Sequence, residues 1–319
     1  MSGALRIGTR GSALAVWQTE HVRARLHAAG IETERVEIRT TGDLVQHVPL
    51  AQIGGRALFT RQIDEAMLEG RIDLAVHSLK DLPTTLPEGI ALVAVGERED
   101  PRDALVGRAP IDWDGLPPGA VLATSSLRRR AQLLHLRSDL DVRDIRGNVD
   151  TRLAKLDAHP EWSAILLAAA GLVRLGFGGR IGQRLPPEIM LPAPGQGALA
   201  VTARSGDRAA ASAAAPAVHH PATALAVAAE RGFLRTLEGG CQVPVAALAA
   251  LEGASLRLHG RVVSLRGEHA VEGQETAPAR DEHEAADLGA RLAQRLLDDG
   301  ASSILAAVRA AGAPPVPEP

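Results

Sequence analysis

Apolar residues in the first eighty positions follow two spacings, and their alternation predicts the fold class. Val36 and Ile38 alternate with charged residues, as in a strand, whereas the residues after Ser12 repeat apolar positions along one helical face. The predicted elements are a strand at 5–7, a helix at 12–28, a strand at 36–38, a helix at 59–67 and a strand at 72–76. This β-α-β-α-β order predicts a parallel, doubly wound α/β sheet.

The same order of elements returns after a charged break around Pro101, at positions 97–103. The elements predicted beyond it are a strand at 121–123, a helix at 127–136, a strand at 142–145, a helix at 149–156 and a strand at 164–167. Pro192 to Gly197 predicts a hinge, and Ala198 to Thr202 predicts a strand after it. The chain is therefore expected to contain two similar doubly wound lobes.

From about Pro221 the pattern changes to a small α/β arrangement. The predicted elements are a helix at 223–237, strands at 245–251, at 255–263 and near 270, and helices at 284–297 and 302–310. They predict a C-terminal domain with a three-stranded sheet. The expected organisation is domain 1 at 1–98 with 198–217, domain 2 at 99–197, domain 3 at 218–312 and a proline-rich tail at 313–319.

Composition narrows the functional class. A chain of 319 residues is long enough for two or three domains. The net charge of −3 argues against a general nucleic-acid binder, and the sequence has no apolar run long enough to span a membrane. The N-terminus lacks the layout of a signal peptide, and a single cysteine fits a reducing compartment, so a cytoplasmic protein is expected.

Hydroxyl and arginine residues stand where predicted strands pass into helices. A helix N-terminus offers free N–H groups and partial positive charge, and arginine binds carboxylates through two parallel hydrogen bonds. A single such junction is more often an ordinary helix cap, but three of them favour a multivalent anion. The phosphate-binding glycine motifs are absent, so carboxylates are expected. The junctions are Thr9-Arg10-Gly11-Ser12, Thr124-Ser125-Ser126 with Arg128 and Arg129, and Arg146-Gly147 with Arg152.

A second segment, Val76 to Pro83, places four kinds of reactive side chain directly after a predicted strand. Lys80 is one of only two lysines in the chain, and Asp81 follows it. Lys80 has the chemistry to form a Schiff base, and Asp81 has that of a general acid or an electrostatic stabiliser. The alternative is a surface Lys–Asp pair of little energetic value. The position after a buried strand favours a functional role.

The only cysteine, Cys241, follows two glycines and precedes Pro244, which predicts a loop. A lone thiol makes no intramolecular disulfide and has no second cysteine for a zinc site. Three interpretations remain open from the residues: a small buried hydrophobe, a catalytic nucleophile or an attachment point. No metal site is predicted anywhere in the sequence.

Together, seven segments resemble one known family, the porphobilinogen deaminases or hydroxymethylbilane synthases of tetrapyrrole (heme) biosynthesis. The resemblance extends from Leu5 to about Ala310. The segments are Arg6–Ser12, Asp73–Pro83, Glu97–Asp103, Thr124–Arg129, Arg146–Val149 with Thr151–Arg152, Pro194–Gly197 and Leu237–Pro244.

The resemblance implies two lobes like periplasmic binding domains, with a cleft between them, and a third domain that carries a cofactor loop. It implies a dipyrromethane cofactor joined by a thioether to Cys241. Four porphobilinogen molecules are then condensed head to tail onto the cofactor with release of ammonia. Hydrolysis finally releases the linear tetrapyrrole hydroxymethylbilane.

The resemblance also implies roles for individual residues. Asp81 matches the catalytic aspartate of the family, and Arg56 keeps the charge of a cleft-covering loop in which Gln52 replaces a lysine found in some members. The residues expected to contact cofactor or substrate are Arg10, Ser12, Lys80, Thr124, Ser125, Ser126, Arg128, Arg129, Arg146, Arg152 and Arg174.

Two other functional classes compete with this interpretation. Two matching lobes with a hinge also suit a transport or effector-sensing module, although no signal peptide or helix-turn-helix segment is seen. A Schiff-base enzyme would be trapped at Lys80 by borohydride in the presence of substrate. The favoured expectation is an enzyme that acts on the small molecule porphobilinogen as a monomer, without nucleic-acid or membrane partners.

Overall fold

The computed structural model describes residues 4–40, 60–237 and 243–310 of the chain. The chain divides into two compact units, each with its own hydrophobic core. Among the described residues, the first unit comprises 4–40, 60–99 and 197–224, and the second comprises 100–196, 225–237 and 243–310. The predicted site residues Arg56 and Cys241, and Gln52 with them, lie outside the described residues.

The elements predicted from apolar spacing are present, each within a few residues of its predicted bounds. The described strands are β1 (Leu5–Thr9), β2 (Thr33–Glu37), β3 (Leu74–Ser78), β4 (Ile90–Val95), β5 (Asp103–Val106), β6 (Val121–Ala123), β7 (Asp141–Arg143), β8 (Ala164–Ala168), β9 (Gln183–Arg184), β10 (Leu199–Arg204), β11 (Val245–Glu252), β12 (Ser255–Val263) and β13 (Ala270–Pro278). The described α-helices are α1 (Ala13–Ala28), α2 (Arg61–Leu68), α3 (Leu127–Leu136), α4 (Val149–Ala158), α5 (Ala169–Arg174), α6 (Arg208–Val218), α7 (Pro221–Thr236), α8 (Glu282–Leu296) and α9 (Ser302–Ala310).

The first unit is built on a five-stranded sheet with the order β2-β1-β3-β10-β4. β1 lies between β2 and β3 and is parallel to both, with Gly8 beside Val36 on one side and Ala75 on the other. α1 packs its buried residues Val22 and Leu26 against the sheet. The parallel order brings the carboxyl ends of β1 and β3 to one edge.

The strands predicted from the β-α-β-α-β order, β1, β2 and β3, are parallel as expected, but a later strand of this sheet is antiparallel. β10 runs antiparallel to both neighbours, and Val201 lies opposite Val76 on one side and Ala94 on the other. Parallel neighbours need a crossover connection, which is usually a helix. β10 instead enters the sheet after the chain has passed through residues 100–196 of the second unit, so no crossover helix joins it to β3.

The second unit contains a sheet of the same design, with the order β7-β6-β8-β5-β9. β6 is parallel to β7 and β8, and the fourth strand, β5, is antiparallel to β8 with Leu105 opposite Leu166. The prediction of two similar α/β lobes is thus confirmed. The sequence pattern did not single out β5, because its first residue, Asp103, belongs to the charged run that indicated a break; Asp103 is fully buried.

The second unit also contains the predicted three-stranded sheet, an antiparallel meander of β11, β12 and β13. α7 and α8 cover this sheet, and Phe233, Leu258 and Leu292 lie in their shared core. The two helices approach closely at Gly289, where a Cβ atom would lie 2.0 Å from the carbonyl oxygen of Ala229. This contact between helix backbones tolerates no larger residue without a shift.

Candidate active site

The carboxyl edge of the first sheet brings two of the predicted segments together. Arg10 and Ser12 follow β1, and Lys80 and Asp81 follow the neighbouring parallel strand β3. Ser12 caps α1, since its side-chain oxygen accepts a hydrogen bond from the backbone N–H of Ala15 at 3.3 Å. The edge therefore combines a capped helix N-terminus, two cations and a carboxylate.

The turn that carries Asp81 is tied to α1. Leu79–Asp81 forms a single 3₁₀ turn directly after β3, in which Leu79 is buried, Lys80 is half-buried and Asp81 is exposed. Gln18, a buried residue of α1, donates from Nε2 to the side-chain oxygen of Ser78 at 2.8 Å. This bond fixes the end of β3 relative to α1 and leaves the carboxylate of Asp81 open to solvent and ligand.

His77, from the same segment, faces the interior rather than the solvent. It is 7% exposed, and its Nε2 lies 3.1 Å from the hydroxyl of Thr202 on β10. Burial lowers the pKa of His77 to about 4, and the positive charge of Arg10 acts in the same direction. His77 is therefore neutral at pH 7 and serves as a packed hydrogen-bonding group.

The second unit repeats the capped junction at the end of β6. Thr124 is buried, and its hydroxyl accepts a hydrogen bond from the backbone N–H of Ser126 at 3.2 Å. Ser126 caps α3 and accepts from the backbone N–H of Arg129 at 3.4 Å. Ser125 is partly exposed between them. This junction occupies the position in its sheet that residues 9–12 occupy in the first sheet.

Arg128 and Arg129, in the first turn of α3, are buried and both bind Asp103. Arg128 Nη1 lies 2.7 Å from Asp103 Oδ2, and Arg129 Nη2 lies 2.8 Å from Asp103 Oδ1. Burial by itself raises the pKa of the Asp103 carboxyl, but Arg128 and Arg129 outweigh it and hold that pKa below its ordinary range. Two guanidinium groups and one carboxylate leave one positive charge in excess, which favours an anionic ligand.

Sequence reasoning missed two of the groups that organise this cluster. Asp103 stood in an apparent break, and Gln196 in an apparent hinge. Gln196 Nε2 donates to Asp103 Oδ1 at 2.9 Å and to the carbonyl of Pro101 at 2.7 Å. Both residues lie in segments that carry the family resemblance, which implied no role for either. The only signal from the residues themselves was an acidic residue at the start of the apolar run 104–106, which is weak evidence for a buried charge.

Arg146 and Arg152 lie at the end of β7 and the start of α4. Arg152 Nε donates to the carbonyl of Gly147 at 2.8 Å, and Gly147 has a φ of 115°, which favours glycine. Asp144, in the same loop, has a buried Oδ1 with no hydrogen-bond partner among the described residues. Burial raises the pKa of Asp144, and the positive charge of Arg146 opposes that shift.

Arg174 lies away from the strand end, and Cys241 is not among the described residues. Arg174 is half-buried in the last turn of α5, about 8 Å along the helix from its first residue at the end of β8. The described residues on both sides of Cys241 are anchored. Leu237 on one side is buried in the C-terminal core, and on the other side Val243 packs against that core before Pro244 leads into β11.

Comparison with known proteins decides the family. A family model described as the porphobilinogen deaminase dipyrromethane cofactor-binding domain matches residues 5–212, and its C-terminal domain matches residues 224–298. The chain belongs to the porphobilinogen deaminase family. A porphobilinogen deaminase of Geotalea uraniireducens is 49% identical over 306 residues, covering 95% of this chain and 94% of that protein. One of Moorella thermoacetica is 49% identical over 308 residues, covering 96% and 97%.

Likeness to solved structures is weaker. The methionine-binding protein MetQ is 12% identical, covers 67% of this chain and 89% of its own, and gives a TM-score of 0.42, which is too low to carry an argument.

Within residues 4–40, 60–237 and 243–310, no group of three or more His, Cys, Asp or Glu side chains is arranged to hold a metal ion. The described helices include none that is long and apolar enough to cross a membrane.

Membership of the family makes the chain a transferase of tetrapyrrole biosynthesis with a dipyrromethane cofactor. The described residues fit that group. The acetate and propionate side chains of the cofactor are carboxylates. The second unit offers them the net positive charge of the Arg128–Arg129–Asp103 cluster and the capped start of α3. It also offers the cations Arg146 and Arg152. The pyrrole N–H groups of the cofactor are donors, and Asp144 Oδ1, to which no described residue donates, is an acceptor in the same region.

Proposed function

We propose that this chain condenses porphobilinogen head to tail, with Asp81 as the catalytic group and the arginine-rich strand ends as carboxylate-binding sites. The observation that supports the proposal best is the match of both family models over most of the chain, together with capped, cationic strand ends in two sheets of the same design. When bound, the dipyrromethane supplies the free α-carbon to which substrate units are added.

Asp81 is proposed to act on the substrate pyrrole. Its carboxylate is exposed on a short turn that β3 and Gln18 hold in place. An anion there accepts the pyrrole N–H, assists departure of the amino group and stabilises the positive charge that deamination leaves on the ring. Lys80, Arg10 and the capped start of α1 at Ser12 supply positive charge for the substrate carboxylates.

The second unit is proposed to hold the carboxylates of the cofactor and the growing chain. Each guanidinium has five N–H groups, and the described contacts of Arg128 use three of them. The remaining N–H groups of Arg128 are proposed to bind a ligand carboxylate. The other proposed contacts are Thr124, Ser125, Ser126, Arg129, Arg146, Arg152 and Arg174.

Cys241 is proposed as the attachment point of the cofactor, and Arg56 as a cation of the loop that covers the substrate. We further propose three domains, at 1–98 with 198–217, at 99–197 and at 218–312, and a cytoplasmic monomer. A reducing compartment suits this role, because the thiol of Cys241 must stay free until the cofactor is attached.

Intact-mass measurement tests the proposal directly. The purified protein is expected to exceed its sequence mass by one dipyrromethane, whereas the Cys241→Ser variant should have the bare-chain mass and no activity. Incubation with porphobilinogen should add successive pyrrole units and release ammonia. Active protein with the bare-chain mass would refute the assignment of Cys241.

A further inference from the structure

We propose that Arg261 and Gln132 are positioning residues, which fix the strand that follows the cofactor loop relative to the anion-binding start of α3. The inference rests on the proposed roles of Cys241 and Arg128. It concerns contacts within the second unit alone, between the three-stranded sheet and the larger sheet's first helix.

Arg261 is a buried cation on β12 that reaches out of its own sheet. The residue is 7% exposed, and its Nη1 donates to Gln132 Oε1 at 2.9 Å. Its guanidinium also lies 3.4 Å from the carbonyl oxygen of Glu188 and pairs with Glu272 on β13. A buried guanidinium is costly unless it is paired and hydrogen-bonded, so these contacts hold the side chain in one place.

Gln132 receives this contact in the middle of α3, one turn after Arg128. It is 1% exposed and makes two hydrogen bonds to the backbone of Leu191. Its Nε2 donates to the Leu191 carbonyl at 3.0 Å, and its Oε1 accepts from the Leu191 N–H at 2.9 Å. The carbonyl oxygen of Leu191 also accepts from Arg128 Nη1 at 2.7 Å. Hydrogen bonds therefore run without interruption from Arg261 through Gln132 and Leu191 to Arg128.

The pairing of β11 with β12 places Arg261 close in the sheet to the residues that follow the proposed cofactor-attachment segment. Ala246 on β11 lies opposite Arg261, and only five positions along the chain separate Ala246 from Cys241. The next residue, Ala247, donates its backbone N–H to the carbonyl of Pro192 at 3.0 Å. The segment at 191–192 is thus bound on one side by α3 and on the other by β11.

A separate contact near the end of α3 prevents rotation of this helix relative to the three-stranded sheet. His135 Nδ1 lies 2.7 Å from the carbonyl oxygen of Gly267, in the turn between β12 and β13. A Cβ atom at Gly267 would lie 2.3 Å from the backbone nitrogen of His135, so only glycine allows this approach. With two contacts along one helix, the small sheet fixes both the position and the direction of α3.

The Arg261 contact affects function because the cofactor is proposed to be attached covalently at Cys241. A cofactor bound covalently beside β11, with its carboxylates held at the start of α3, needs a fixed distance between these two points. An error of about 1 Å in the position of reacting groups is enough to cost on the order of a hundredfold in rate. Loss of the Arg261 contact is expected to loosen this distance without removing any group that touches substrate.

The test uses the full-length, cofactor-loaded protein with the variant Arg261→Met, which keeps much of the side-chain volume. The matched control is Arg257→Met on the same strand, where the arginine is exposed and pairs with Glu252. Both variants are assayed well below their unfolding midpoints. Arg261→Met should carry one dipyrromethane by intact mass, turn over at least about tenfold more slowly and accumulate early elongation intermediates in the mass spectrum. Arg257→Met should match the unsubstituted protein in all three measurements.

Unchanged turnover and an unchanged set of intermediates in Arg261→Met would overturn the inference, whatever the change in stability. If that variant does not fold, Arg261→Lys replaces it, because lysine keeps the charge beside Glu272 but lacks the guanidinium fork that also binds Gln132 and Glu188. Normal turnover in Arg261→Lys would likewise overturn the inference. A missing dipyrromethane in the unsubstituted protein would instead refute the proposed function.

Discussion

Asp103 and Arg128 form an ion pair inside the second unit, with 2.7 Å between Oδ2 and Nη1 and almost no solvent exposure of either side chain. Arg129 binds the other oxygen of the same carboxylate. The pair connects the antiparallel strand β5 to the helix whose N-terminus we assign to carboxylate binding. Its integrity therefore concerns both stability and the site.

The substitution Asp103→Asn should destabilise the second unit strongly, since it leaves two buried guanidinium groups without their anion. Breaking a buried ion pair by removing one partner typically costs about 3–5 kcal/mol. The test compares the denaturant unfolding midpoints of the variants Asp103→Asn and Asp139→Asn. Asp139 pairs with Arg137 on the surface, so its substitution should have no measurable effect. Equal unfolding midpoints for the two variants would contradict the prediction.

His77 should make the protein less stable as the pH falls. Its pKa is about 4 in the folded state and 6.5 in an ordinary environment, so between these values the unfolded chain takes up a proton that the folded protein excludes. The free energy of unfolding therefore falls by about 2 kcal/mol from pH 7 to pH 5, and this fall levels off below the folded-state pKa.

The variant His77→Gln isolates this contribution, because an amide retains hydrogen-bonding capacity toward Thr202 but does not titrate. The free energy of unfolding is measured in urea at pH 7 and pH 5 for both proteins. The drop should be smaller in the variant by the amount attributed to His77. Identical drops would show that His77 does not titrate as its burial requires.

The variant Asp81→Ala should lose most of its turnover and keep its fold. The residue is exposed, so unfolding midpoints should not change. Loss of a group that assists proton transfer typically reduces the rate by about 10²–10⁴-fold. Product formation by Asp81→Ala is compared with that of Glu34→Ala, an exposed residue on β2 of the same sheet. Near-normal turnover in Asp81→Ala would place the catalytic role elsewhere.

The variant Arg146→Leu should block cofactor assembly or stall elongation, because it removes a cation from the proposed carboxylate site. Intact masses after incubation with porphobilinogen would then show bare chain or an excess of one intermediate. Arg180→Leu is the control, since Arg180 belongs to the same unit and pairs with Asp157 at 2.7 Å. A normal distribution of masses in Arg146→Leu would exclude Arg146 from the site.

The local elements and the motifs could be predicted from the sequence alone. Helical and strand spacing depend on neighbouring residues, so apolar periodicity located α1, β3, β6 and α3 closely. The segments that carry the family resemblance are equally local. They led to the proposed roles of Asp81 and Cys241 without any knowledge of contacts.

Contacts between residues that are distant in sequence became visible only in the folded chain. Asp103 is 25 positions from Arg128, and Gln132 is 129 positions from Arg261. The antiparallel placement of β10 and β5 likewise depends on how the chain passes between the two units. A buried charge is stable only where folding brings its partners, and periodicity carries no information about partners so far apart in sequence.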